Sequence, residues 1–214
     1  MQIIAEYFPL FIDGTVYTIS LAFASVILSL PLGALMALGR LSSNRFFNTI
    51  CRFYVEVIRG TPLLVQVYLV YFGLPMFGIY LDDFVSAVMA ITINSTAYMS
   101  EIMRSGIQAV DSGQTEAARA LGLNQSTTFR KIILPQAVKN ILPAIGNEFA
   151  VLIKETSIVS VLGIRDLMFA SDTVRGATYT TFTPLLFAAL IYFILTFTVS
   201  QLMNRLERKL AQSD

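Results

Sequence analysis

Apolar residues gather into five long runs, and polar residues fill the stretches between them. The runs lie at about 15–38, 61–81, 84–103, 135–156 and 182–203. A bilayer core of about 30 Å takes roughly 20 apolar residues in a helix, so each run is long enough to span. Backbone groups inside a bilayer must be satisfied within their own segment, which makes the runs helices. The alternating pattern of a membrane barrel is absent from the sequence. Pro31, Pro62, Pro75 and Pro143 fall inside or beside the runs, and Pro62 suits the first turn of a helix. The expectation is an all-α integral membrane protein with five spans in a single transmembrane domain, 1–214.

Two of the intervening stretches carry their own helical pattern. At about 44–58, Phe46, Phe47, Ile50, Phe53, Tyr54 and Val57 recur at helical spacing, with Arg45, Arg52 and Arg59 between them. This reads as an interfacial helix on the cytoplasmic leaflet, or as an element that packs on the bundle. Arg59-Gly60-Thr61-Pro62 breaks it from the second run. The stretch at about 106–134 is too long for a mere connection. Thr115 or Ser112 can cap a first helix there, and Ala117, Ala118 and Ala120 favour it. Gly122 fits its stop, and Asn124, Ser126 and Thr127 offer a second start. Two short helices meeting at a glycine turn are expected.

Composition agrees with the pattern. The chain is 55% hydrophobic and 14% charged, against roughly 25% charge in a soluble domain. A net charge of +1 offers no basic surface for nucleic acid. With no His, a Ser-His-Asp triad is impossible. The single cysteine, Cys51, has no partner within the chain. There is no Gly-x-x-x-x-Gly-Lys-Ser/Thr phosphate loop, so any ATP must be handled by another chain.

Charge placement gives the orientation. Arg40, Arg45, Arg52 and Arg59 lie between runs one and two, Arg104, Arg119, Arg130 and Lys131 between three and four, and Arg205, Arg208 and Lys209 after five. Glu6, Asp13, Asp82 and Asp83 mark the alternate side. The positive-inside rule therefore puts the N-terminus outside and the C-terminus in the cytoplasm.

Ionisable residues inside spans are costly and read as functional. Asn94, Tyr98 and Glu101 stand at i, i+4 and i+7, on one helix face. That face offers an amide, a hydroxyl and a carboxylate to a polar solute, with Glu101 for an ammonium group. The bland alternative pairs Glu101 with Arg104. Glu148, in run four, has no local basic partner closer than Lys154 and needs a solute, water or another helix. Gly33, Ala34, Ala37, Ala188 and Ala189 allow close helix approach.

One pattern is more specific. Glu116-Ala117-Ala118, three residues, Gly122, nine residues, Ile132, one residue and Leu134-Pro135 resemble the "EAA" loop of ATP-binding-cassette importer permeases. Arg59-Gly60-Thr61-Pro62, Asn94-Ser95-Thr96-Ala97-Tyr98 with Glu101, and Gly146-Asn147-Glu148-Phe149 with Lys154-Glu155-Thr156-Ser157 resemble the polar amino acid uptake members. The resemblance implies a type I importer permease in a prokaryotic plasma membrane. It implies a second permease subunit, a dimer of ATPase subunits that bind ATP and Mg and dock on Glu116, Ala117, Ala118 and Gly122, and an extracytoplasmic binding protein. The segment holding Arg165, Asp166, Asp172 and Arg175 is expected to meet that binding protein. The solute is a polar, basic amino acid, contacted by Asn94, Tyr98, Glu101 and Glu148. No cofactor is expected in the chain itself, and no enzymatic activity. The rival reading is a secondary transporter or channel with Glu101 and Glu148 as a proton relay.

Overall fold

The first apolar run is only the middle of a much longer helix. In the computed structural model, which describes residues 2–211, α1 (Gln2–Leu41) has 40 residues, about 60 Å at 1.5 Å per residue. It passes through Glu6 and Asp13, both exposed. A charge ends an apolar run but does not break the backbone ladder.

The second run folds differently from expectation. α2 (Arg45–Arg59) is capped by Asn44, which accepts from the Phe46 N–H at 3.0 Å. α3 (Leu63–Met76) has only 14 residues, about 21 Å, less than a bilayer core. The two meet at 103° across Gly60, Thr61 and Pro62. Pro62 precedes α3, where its missing N–H costs nothing.

α4 (Asp83–Gln108) covers the third run and starts on Asp82, which accepts from the Val85 N–H. α5 (Ser112–Ala120) opens on Asp111, not on Thr115 or Ser112. The Asp111 carboxylate accepts from the Gly113 N–H at 2.6 Å, and a charged acceptor suits the positive end of a helix. Gly122 closes α5 at φ +79°, a left-handed conformation that only glycine adopts without strain. The Leu123 N–H then returns to the Ala118 carbonyl at 3.0 Å.

The second arm of this hairpin is not a separate short helix. Asn124 caps α6 (Gln125–Thr128) by accepting from the Thr127 N–H. A π-helical turn, Phe129–Ile133, carries the helix on into α7 (Leu134–Glu155). A 3-10 segment, Thr156–Leu162, leads to α8 (Leu167–Thr178) and α9 (Phe182–Ala211).

α4 is the central helix. α1 packs along it, and α2, α3 and α7 take its other sides. At the α1–α4 crossing, a Cβ on Gly33 would stand 2.5 Å from the Met99 Cβ, so the helices approach only because Gly33 has none. The side-chain distribution is inverted relative to a soluble bundle. Ser25, Ser29, Ser86, Thr92, Asn94, Ser95, Thr96 and Ser100 are buried, and Ser95 donates to the Ser29 hydroxyl at 3.0 Å. Large apolar residues face outward, among them Phe23 and Leu35 on α1 and Phe193 and Phe197 on α9. That is the pattern of a bundle solvated by lipid or by a partner. By length and apolar composition, α1 and α9 can each cross a membrane, as can α2 and α3 taken as one bent unit. α4 and α7, with 26 and 22 residues, have the length with a more polar composition.

Candidate functional site on the inner face of the fourth helix

Asn94, Tyr98 and Glu101 do share one face of α4, and that face is occupied by the corner between α2 and α3. Gln66, buried near the start of α3, is the pivot. Its side-chain N–H groups donate to the Ile58 carbonyl at 2.7 Å and to the Thr61 carbonyl at 3.1 Å. Its oxygen accepts from the Asn94 amide at 3.0 Å. These bonds satisfy carbonyls that the bend frees at the end of α2. Tyr54 adds a second tie, donating to the Ile93 carbonyl at 2.7 Å.

One turn further on, Arg59 lies over the Tyr98 ring, its guanidinium carbon 5.4 Å from the ring centroid. The same guanidinium is 3.6 Å from Glu101 Oε2. Arg40 holds that oxygen more closely, at 2.7 Å, and Arg104 pairs with Oε1. Glu101 is therefore not a bare carboxylate awaiting an ammonium group. Three arginines from α1, α2 and α4 surround it. The Arg104 pair is the local alternative read from i, i+3 spacing; Arg40 and Arg59 come from distant sequence. A cavity of about 370 Å³ opens beside Glu101, bordered by Ser105, Gly106, Asn140 and Ala144.

Glu148 stands apart from this cluster. It is partly buried on α7, and among the described residues it has no hydrogen-bond or ion-pair partner. α7 packs against α4, yet no such bond joins Glu148 to Asn94, Tyr98 or Glu101.

The hairpin is the second candidate surface. In α5 only Ala118 is buried; Glu116, Ala117, Arg119 and Ala120 are exposed. Leu121, just before the glycine turn, is 82% exposed. α5 packs on its own hairpin partner, α6 with the π turn.

The stretch between α7 and α9 is more buried than a solvated loop. Asp166 caps α8 through the Phe169 N–H at 2.8 Å and accepts from the Tyr192 hydroxyl at 3.2 Å. Burial pushes its carboxyl up to about 6, against the pull of these donors. Thr18 of α1 accepts from the Leu167 N–H at 3.1 Å. Arg165, Arg175 and Tyr179 remain exposed.

Comparison with known proteins decides what kind of bundle this is. Residues 29–212 match the family described as "Binding-protein-dependent transport system inner membrane component". The chain belongs to this family. It is the permease component of such a system, a membrane subunit and not the ATPase. The arginine transport system permease protein ArtQ of Bacillus subtilis (strain 168) is 44% identical over 207 residues, 96% of this chain and 94% of that one. The putative glutamine transport system permease protein GlnP of Rickettsia conorii (strain ATCC VR-613 / Malish 7) is 42% identical, covering 93% and 92%. A chain of a solved structure, "Crystal structure of an amino acid ABC transporter with histidines", superposes with a TM-score of 0.93 at 48% identity, covering 96% of both chains.

Sequence reading missed Arg40, Gln66 and Leu121 as members of this permease's two surfaces. Leu121 had a signal, since it is a large apolar residue directly after a helix with no large apolar residue of its own. Arg40 and Gln66 had none, because their partners lie 61 and 28 positions away.

Proposed function

We propose that this permease is the membrane-spanning subunit of an ATP-driven importer for polar amino acids, with basic ones favoured. It forms one transmembrane domain over 1–214, with five spans, the N-terminus outside and the C-terminus in the cytoplasm. A second permease subunit completes the path, and an extracytoplasmic binding protein delivers the solute. A pair of ATPase subunits holds ATP and Mg and docks on α5 through Glu116, Ala117, Ala118 and Gly122. Transport is alternating access: closure of the ATPase pair moves the spans about a midplane site.

The observation that carries this reading is α5 itself. A helix with one buried residue and an Ala-rich outer side, followed by an 82% exposed Leu121, offers a surface that gains by being covered. The amino acid class is supported by the relatives named for arginine and glutamine transport. A basic preference is supported by Glu148, which has no cation paired with it among the described residues.

In this reading Asn94, Tyr98 and Glu101 border the path, and Glu148 contributes its charge. Glu101 acts through the arginines it holds. That arrangement disfavours the proton-relay alternative, because guanidinium groups already engage both oxygens of Glu101. The test is uptake into proteoliposomes holding the permease, its ATPase and its binding protein, with an amino acid panel as competitors. ATP-dependent uptake inhibited by arginine, lysine or histidine is expected. Uptake that runs without the ATPase would overturn the reading.

A further inference from the structure

We propose that Arg59 receives the α-carboxylate of the amino acid as it passes the inner face of α4. The inference rests on the amino acid reading above. Its starting point is a charge imbalance. Three guanidinium groups share one carboxylate, which leaves the cluster two positive charges in excess. The three are not equivalent. Arg40 and Arg104 hold one Glu101 oxygen each and are 13% and 26% exposed. Arg59 is 43% exposed, and its 3.6 Å approach to Oε2 is longer than a hydrogen bond. Glu56, one turn earlier on α2, forms no ion pair with it.

Arg59 is thus the most exposed of the three cations and the one held least closely by Glu101. It stands at the last turn of α2 with its guanidinium carbon 5.4 Å from the Tyr98 ring centroid. A planar guanidinium presents paired N–H groups that suit a bidentate oxyanion. The carboxylate common to all amino acids has that shape. A lipid phosphate shares the chemistry, but Arg59 rests on α4, the central helix, rather than on the outer surfaces of α1 or α9. Glu101 becomes a positioning residue: it gathers the guanidinium groups and does not touch the solute.

The test is equilibrium binding to the detergent-purified permease–ATPase complex without the binding protein. The probes are L-arginine, L-glutamine and agmatine, which is arginine without its carboxylate. Arg59→Ala and Arg59→Lys are expected to weaken binding of the tighter amino acid by about tenfold or more. Agmatine binding should change by less than about twofold, since a merely structural loss would weaken both alike. Equal losses for arginine and agmatine, or no loss for either amino acid, would overturn the role of Arg59 alone. Failure of the wild-type complex to bind either amino acid would overturn both this role and the amino acid reading. A second arm reconstitutes both forms in purely zwitterionic lipid and in lipid with added phosphatidylglycerol. A defect confined to the anionic membrane would assign Arg59 to lipid and also overturn the proposal.

Discussion

Asn94 and Gln66 meet at 3.0 Å, the Asn94 amide donating to the Gln66 oxygen. Through Gln66 the bond reaches the Ile58 and Thr61 carbonyls, so one side chain of α4 fixes the corner between α2 and α3. Gln66→Leu leaves a buried amide and two carbonyls short of partners. Each buried group left unsatisfied costs about 1–3 kcal/mol. Thermal unfolding of Gln66→Leu, Asn94→Leu and the double variant in detergent checks this. The double variant is expected to lose less than the sum of the two, and strict additivity would show that the two side chains are not coupled.

Gly122 and Leu121 separate folding from docking. Gly122→Val places a β-branched residue at φ +79°, which costs about 1–2 kcal/mol and disturbs the hairpin itself. Leu121→Asp changes a residue that is 82% exposed, so the fold should stand. Recovery of the ATPase subunit with a tagged Leu121→Asp permease should fall by about tenfold. Undiminished recovery would remove α5 from the interface.

Asp166 gives the protein a pH dependence of known sign. Its carboxyl is buried and raised from 3.8 to about 6. The folded state therefore favours the protonated form. The stability this contributes is fully present below about pH 3.8 and is lost as pH rises through about 6. A shift of this size amounts to on the order of 3 kcal/mol. Asp166→Asn keeps a capping oxygen and does not titrate. The difference in melting temperature between Asp166→Asn and wild type should grow from pH 4 to pH 7, with the variant the more stable. A constant difference would show that Asp166 does not titrate in this window. The groups facing it are Tyr192 and Asp172, with the Phe169 and Met168 N–H groups.

Glu148→Gln tests charge without altering shape. If Glu148 favours cationic solutes, competition by arginine and lysine should weaken by about three- to tenfold while competition by glutamine holds. Equal weakening of all three would make Glu148 a packing residue.

The sequence made some of this legible for physical reasons. Helical spacing of Phe46, Ile50, Phe53 and Val57 marks α2, and Pro62 marks the bend that follows it. Local signals also place Asn94, Tyr98 and Glu101 on one face. What covers that face is another matter. Arg40 and Gln66 reach it only through tertiary packing, and spacing along one helix says nothing about a neighbour 61 positions away. The Asp111 cap was hidden for a different, local reason: Ser112 and Thr115 carry equally good capping chemistry. The π turn at Phe129–Ile133 has no compositional mark at all.

The unbroken passage from α6 through that π turn into α7 has a mechanical consequence. From Gln125 to Glu155 the chain is one continuous helical path, roughly 46 Å long at 1.5 Å per residue. Moved as one unit, a tilt of about 10° at the hairpin end would sweep the far end through about 8 Å, with the π turn and Pro143 as the points where the path can bend. Glu148 rides near that far end. The hairpin and the interior carboxylate are thus joined along one helical path, so whatever movement of the first the bend points do not absorb displaces the second.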